Sequence, residues 1–431
     1  MGRYAMGVDF GTLSARALVV DVETGRELGG AVMEYPHGVL QERLPNGAPL
    51  PHGWALQHPG DYLECLRRVV PEALAQAGVN AAEVIGLGVD CTASTSLPVL
   101  ADGTPLCFLP EYENNPYAYA MLWKHHGAQA QADRMTELAQ ARKEPFLARY
   151  GGRISSEWML PKLLQVLEEA PEVYERAARF VEAGDWIVSQ ITHSEARSAG
   201  IAGYKALWNP RDGYPSQTYL AALQPRFSTV AEEKLAGPLL PLGARVGGVH
   251  PEAAAWLGLR PGTSVAAANI DAHVSVPVAG APRAGELMMI MGTSTCHILL
   301  AQEERPVPGM CGAVEGGAAP GFLAYEAGQS CVGDLLGWFV EHCLSAECAR
   351  QAKEEGQSAH EFLTARAAKL RAGESGLIAL DWWNGNRSIL VDAHLTGLIL
   401  GMTLRTKPEE IYRALMEATA FGTRTIVEAF E

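Results

Sequence analysis

The apolar residues of this chain follow two rhythms. Tyr4 to Phe10 and Ala15 to Val22 are β-prone apolar segments joined by Gly11-Thr12-Leu13-Ser14. With Glu23-Thr24-Gly25 as the next turn, they predict an opening hairpin. Between Asp61 and Gly78 the spacing becomes helical, with Tyr62, Leu63, Leu66, Val69, Val70, Ala73, Leu74 and Ala77 on one face. Asp61 and Glu64 stand at capping-box spacing at its start, and Pro71 interrupts the pattern. Val84 to Val89 predicts a buried strand that ends at Asp90-Cys91-Thr92-Ala93, where open α/β sheets carry ligand loops. Helical spacing returns over 117–142 and 156–179.

From about 205 to 250 the chain turns rich in Gly and Pro, with Asn209-Pro210-Arg211-Asp212-Gly213 as a turn cluster. That shift predicts two domains, 1–250 and 251–431. A second α/β pattern follows, with strands at Ser264 to Asn269, Glu286 to Met291 and Cys296 to Ala301. The turn Gly292-Thr293-Ser294 joins the last two, and aligning 290–301 with 9–20 superposes Gly-Thr on Gly-Thr between apolar strands. Two related domains, each offering a Gly-Thr hairpin to a shared cleft, are the architecture this repeat predicts. A last helix, with Thr406 and Glu409 at capping-box spacing, carries Ile411, Leu415, Phe421, Ile426 and Val427. The pattern then stops at Glu431 without a Gly cap, a polar tail or a further strand, so the second domain is expected to be incomplete.

Composition narrows the picture. With 431 residues, 48% hydrophobic and 19% charged, the chain can bury two cores and is not a disordered protein. Its formal charge is 34 − 49 = −15, with no clustered basic face, which argues against a nucleic-acid partner. No apolar run is long enough for a membrane span, and Asp9 and Arg16 break any signal peptide. The eight cysteines form no C-x-x-C pair, which suits reduced thiols in a cytoplasm.

A hairpin tipped by Gly brings backbone N–H groups against phosphate oxygens, and the Thr12 and Ser14 hydroxyls add donors. Asp9, just before the turn, is placed to hold Mg²⁺ through water. The alternative is an ordinary turn with a capping Asp. Asp271, in Asn269-Ile270-Asp271-Ala272-His273, ends an apolar strand and can take a proton from an attacking hydroxyl, or else simply cap the following helix. His273, His125 and His126 match no metal-site spacing. Trp382-Trp383-Asn384-Gly385-Asn386-Arg387 has the aromatic and polar character of sugar sites, but with no acid or base beside it a packed interdomain loop is the preferred reading. A protein kinase is excluded by the missing H-R-D and V-A-I-K motifs, and a P-loop enzyme by the missing G-x-x-x-x-G-K-[ST].

These separate segments converge on one family. From residue 7 onward the chain resembles the FGGY carbohydrate kinases: GVDFGTLSARALVVD is similar to the first phosphate motif, MGTST to the second, and NIDAH to the segment of the catalytic Asp. ISSEWMLPKLLQVLEE and AGDWIVSQIT are similar to the helix and strand before the sugar site. The resemblance implies an α/β fold of two actin-like (ribonuclease H-like) domains, each a mixed sheet flanked by helices, with the active site in the cleft between them. VDCTASTSLPVLADGTPL, YEAGQSCVGDLLGWFV and ALDWWNGNRSILVDAHLTGLILG resemble the ribulokinase branch rather than xylulokinases or glycerol kinases.

That branch implies ATP- and Mg²⁺-dependent transfer to the 5-hydroxyl of a ketopentose, above all L-ribulose, in arabinose catabolism. It implies Asp271 as base, with Ala93, Lys205, Asp271 and Glu326 around the sugar. Asp9 would position Mg²⁺, and Gly11, Thr12, Ser14, Gly292 and Thr293 would surround the phosphates. A cytoplasmic homodimer is also implied. Family members carry a Gly-rich adenosine motif beyond the final helix, so the adenine pocket is expected to be missing. The alternatives are another pentulose or polyol kinase, a sugar-binding protein without ATP turnover, and an actin-like ATPase with no sugar site.

Overall fold

The computed structural model describes residues 2–280 and 282–431. β1 (Tyr4–Phe10) and β2 (Ser14–Asp21) form the expected hairpin, and β3 (Glu27–Glu34) extends it. In β1, Met6, Val8 and Phe10 are buried while Asp9 alternates to the other face, the two-residue period of a strand. α1 (Pro59–Ala77) crosses over and packs on β2 and β3, and β4 (Val84–Cys91) then runs parallel to β1.

α1 runs through Pro71 but starts earlier than its capping-box spacing suggests. Pro59 opens the helix and the His58 ring caps Gly60, so Asp61 lies inside the first turn. Buried there, Asp61 accepts from the His37 backbone at 3.0 Å and pairs with its Nδ1 at 2.7 Å. The segment 117–142 is helical only over Gln129–Arg142. Ala120–Met121 is drawn into a strand beside Leu56–Gln57, a tertiary pairing that overrides the local spacing. Within 156–179, α2 (Met159–Glu169) ends at Ala170 and Pro171 opens a new short helix. At the far end, the last helix begins after Lys407, whose N–H donates to Glu410 rather than being capped by Thr406.

The division between domains differs from the sequence expectation. β5 (Arg245–Gly248), β6 (Ser264–Ala266) and β7 (Asn269–Ile270) all join the first sheet, whose order is β5-β6-β4-β1-β2-β3 with β7 also pairing β4. A cut at 250/251 would sever that sheet. The Gly- and Pro-rich stretch instead lies within the first body, where it forms short helices at Gln217–Leu223 and Val230–Glu233, and we propose that the division follows α4 (Asp271–Val278).

The second body is built on β8 (Leu287–Met291), β9 (Thr295–Ala301), β10 (Gly312–Glu315) and β11 (Leu323–Gln329), in the order β8-β9-β11-β10. The first sheet is mixed, whereas every pairing in the second is antiparallel, because no helical crossover separates these strands. α5 (Gly333–Trp338) follows, and α6 (Pro408–Phe430) packs through Tyr412, Leu415 and Ala418 onto a separate small core, leaving Phe421 exposed. α3 (Ala199–Lys205) lies between the bodies: its Ile201 and Tyr204 share one apolar cluster with Val8 of the first sheet and Ile298 and Ala324 of the second.

Candidate active site

Strand register assembles the acidic end of the site. Asp9 of β1 stands opposite Asp90 of β4, and Asn269 of β7 stands on the other side of Asp90, so Asp271 emerges beside both as α4 begins. Burial, reinforced by Asp9 and Asp271, pushes the Asp90 carboxyl well above the ordinary carboxylate range. Asp9 also pairs with the exposed Arg16 at 3.1 Å. Carboxylate oxygens facing a cleft are hard donors suited to a divalent cation, and the repulsion that raises Asp90 is what such a charge relieves. The residues present therefore fit a divalent metal ion.

Withdrawal from water likewise raises the Asp271 carboxyl, against the Ala272 N–H that donates to it at 2.7 Å. Asp271 is the first residue of α4 rather than its cap, which is Ile270, and it lines the cleft.

Each Gly-Thr tip is closed by its glycine, Gly11 N–H donating to Ser14 O at 3.0 Å and, in a turn one residue tighter, Gly292 N–H to Ser294 O at 2.8 Å. Both tips line one cavity of 560 Å³ between the two bodies.

Elsewhere on the cavity wall, Lys205 ends α3 and Glu326 lies in β11, and the two meet across the bodies at 2.7 Å. Burial works against both charges, yet each holds the other ionised: Glu326 raises Lys205, and Lys205 with His273 keeps Glu326 well below the carboxylate range. His273 is fully buried, with Nε2 3.0 Å from Glu326 and Nδ1 3.3 Å from Gly317 O.

Ala93 is buried in the loop after β4. The next residue, Ser94, has φ +60°, a left-handed conformation that costs a non-glycine residue on the order of 1 kcal/mol or more. Lys162 of α2 holds it there. Its fully buried ammonium donates to Ser94 O at 2.6 Å, Leu122 O at 2.9 Å and Met121 O at 3.2 Å.

The residues to which the family resemblance gives roles all line this one cavity: Asp9, Gly11, Thr12, Ser14, Ala93, Lys205, Asp271, Gly292, Thr293 and Glu326. Asp90, named in the sequence only as part of a ligand loop, and Arg387, whose loop was read as packing, line it too, as does Glu157, which sequence reasoning missed together with the supporting roles of His273 and Lys162. Asp90 was legible, since it falls at the end of a predicted buried strand beside Asp9. The others depend on which loops meet, which spacing does not encode.

Two α/β bodies sharing a cleft, with a Gly-Thr turn from each and carboxylates at the strand ends, define a phosphotransferase of the actin-like fold. Residues 4–276 match the N-terminal domain of the FGGY family of carbohydrate kinases, and residues 287–431 match its C-terminal domain. The chain belongs to the FGGY family of carbohydrate kinases.

Among curated relatives, a ribulokinase of Halalkalibacterium halodurans is 54% identical over 429 residues, which is 99% of this chain and 76% of that protein. A ribulokinase of Mycolicibacterium smegmatis is 52% identical over 433 residues, covering 100% of this chain and 76% of the relative. Among solved structures, a ligand-bound xylulose kinase from Lactobacillus acidophilus aligns with TM-score 0.76 at 15% identity, covering 99% of this chain and 78% of the other. A xylulose kinase from Rhodospirillum rubrum aligns with TM-score 0.73 at 22% identity, with the same coverage of 99% and 78%. At such identities these structures speak for the fold alone.

Proposed function

We propose that this carbohydrate kinase transfers the γ-phosphoryl group of ATP to the 5-hydroxyl of a ketopentose, L-ribulose before others, with Asp271 as general base. The observation that carries this reading is the position of Asp271 in the cavity that both Gly-Thr tips and the Lys205–Glu326 pair also line. The ribulokinase relatives, at 52–54% identity over nearly the whole chain, support the choice of sugar.

Lys205 donates to and Glu326 accepts from hydroxyls of the sugar, and the small Ala93 leaves room for its carbon chain. Asp271 then takes the hydroxyl proton as that oxygen forms its bond to the γ-phosphorus and ADP departs with the electrons of the broken P–O bond. A raised carboxyl makes Asp271 a stronger base than an exposed Asp. The N–H groups of the two tips and the Thr12, Ser14 and Thr293 hydroxyls hold the phosphates in line. Mg²⁺, held by Asp9 with Asp90, would neutralise phosphate charge during transfer. Approach of the two bodies would exclude water from the γ-phosphate.

No helix among the described residues is long and apolar enough to cross a membrane, and all eight cysteines are free thiols, which supports a cytoplasmic setting. Coupled ADP release measured across L-ribulose, D-ribulose, xylulose, ribitol and glycerol tests the reading. The highest kcat/KM is expected with L-ribulose, and preference for glycerol or xylulose would refute that assignment.

A further inference from the structure

One charged pair in the cleft has no part in the scheme above. Arg387, in the loop after Trp382-Trp383, reaches from the second body to Glu157, just before α2 in the first. Its Nε stands 3.1 Å from Glu157 Oε2, its Nη2 donates to Oε1 at 3.2 Å, and both side chains are less than a tenth exposed. The guanidinium carbon lies 4.9 Å from the centre of the Trp123 ring, whose Nε1 donates to Thr12 Oγ1 at 3.1 Å. Arg387 therefore touches, through one aromatic ring, the first phosphate turn.

The fold makes room for this side chain. At Gly328 in β11, a Cβ would come within 2.6 Å of Arg387 Cδ, so the strand carries glycine where the arginine passes. A guanidinium has five donor hydrogens. Nε and Nη2 are spent on Glu157, while Nη1 makes no hydrogen bond among the described residues, although the residue lines the cavity with Glu326 and Asp271.

Charge decides what that free donor suits. Each buried cation of the cavity wall has its own carboxylate, Lys205 with Glu326 and Arg387 with Glu157. The side of the cavity formed by these two pairs leaves anions to the Gly-Thr turns. It offers directed hydrogen bonds to an uncharged polyol, and a guanidinium locked on two sides by a carboxylate and a ring loses little freedom in doing so.

We propose that Arg387 is a further specificity-determining residue, donating through Nη1 to an oxygen of the bound ketopentose while Glu157 fixes the guanidinium and cancels its charge. This rests on the sugar-kinase reading above. It adds to that reading a second contact from the second body, beside that of Glu326 in β11.

The test compares the parent with R387K and with the charge-neutral double substitution R387Q/E157Q, which leaves no unpaired buried charge. Thermal melting of each reports folding, and either variant alone suffices. The KM for L-ribulose should rise about 10- to 100-fold, the loss expected for a hydrogen bond from a charged donor, with the KM for MgATP changed by less than about twofold. Among deoxyketopentoses, one should be phosphorylated equally poorly by parent and variant, because it lacks the oxygen that Arg387 reads.

An unmoved sugar KM, a rise in the MgATP KM alone, or an equal penalty on every deoxy analogue would overturn the proposal. Calorimetric titration of L-ribulose into parent and variants reads the same contact without turnover. A parent that binds sugar but is silent counts against the kinase reading, whereas an active parent with unmoved KM and affinity counts against Arg387 alone.

Discussion

The two Gly-Thr turns share a sequence, a closing hydrogen bond and a cavity, yet they are held in different ways. The first is braced by side chains from three distant segments: Tyr35 Oη donates to Gly11 O at 3.0 Å, Gln57 Nε2 to Thr12 O at 2.8 Å, and Trp123 Nε1 to Thr12 Oγ1 at 3.1 Å. Gln57 is itself fixed by Tyr62 Oη at 2.6 Å in the buried core. The second turn is exposed and leans on backbone alone, with Val332 N–H donating to Thr293 O and Gly333 N–H to Gly292 O, each at 3.0 Å. One turn is thus tied by side chains to a packed core and the other rests on the start of α5. The same motif can be a fixed platform or a part that depends on its neighbour's position.

This contrast can be broken from the chemical side first. Asp271→Asn should lower kcat by roughly 10²- to 10⁴-fold, the range for losing a general base, while sugar affinity and the MgATP KM stay near the parent's. Loss of nucleotide affinity as well would mean that the turns and the base are not separable. Because burial raises the Asp271 carboxyl and only its ionised form accepts a proton, kcat/KM of the parent should fall as pH drops, with the acid limb above the ordinary Asp value of 3.8.

Next comes Gly333→Ala, which puts a Cβ 2.6 Å from Gly292 O and must displace the second turn. The MgATP KM should rise about 10-fold with little change in melting temperature, since a backbone-supported turn can move without opening a core. Gln57→Leu attacks the first turn and should do the reverse. It strands Thr12 O and the Tyr62 hydroxyl, so unfolding in denaturant should show a loss of about 1–3 kcal/mol, with a smaller rise in the MgATP KM. Tyr35→Phe removes one hydroxyl contact to Gly11 O and should cost about 1 kcal/mol by the same measurement.

Much of this site was legible because its parts are local. A Gly-Thr turn between two apolar strands is written in about a dozen consecutive residues, and strand alternation alone sends Asp9 away from Met6, Val8 and Phe10. What was not legible comes from contacts far apart in sequence. Arg387 meets Glu157 across 230 positions, and the loop that carries it reads as packing until the two bodies are set face to face. The strand pairing across 250/251 was hidden for a related reason. Gly and Pro mark turns, but only hydrogen bonding shows that β6 and β7 return to β4 beyond them, with β5 paired to β6.

The central claim is that both turns grip one triphosphate opposite Asp271, and a structure of the protein with L-ribulose and a non-hydrolysable MgATP analogue tests it most directly. The γ-phosphate should lie against the tips at Gly11-Thr12 and Gly292-Thr293, with the sugar 5-hydroxyl at hydrogen-bond distance, about 3 Å, from the Asp271 carboxylate. A nucleotide bound with its phosphates away from either tip, or a sugar whose nearest acid is not Asp271, would contradict it.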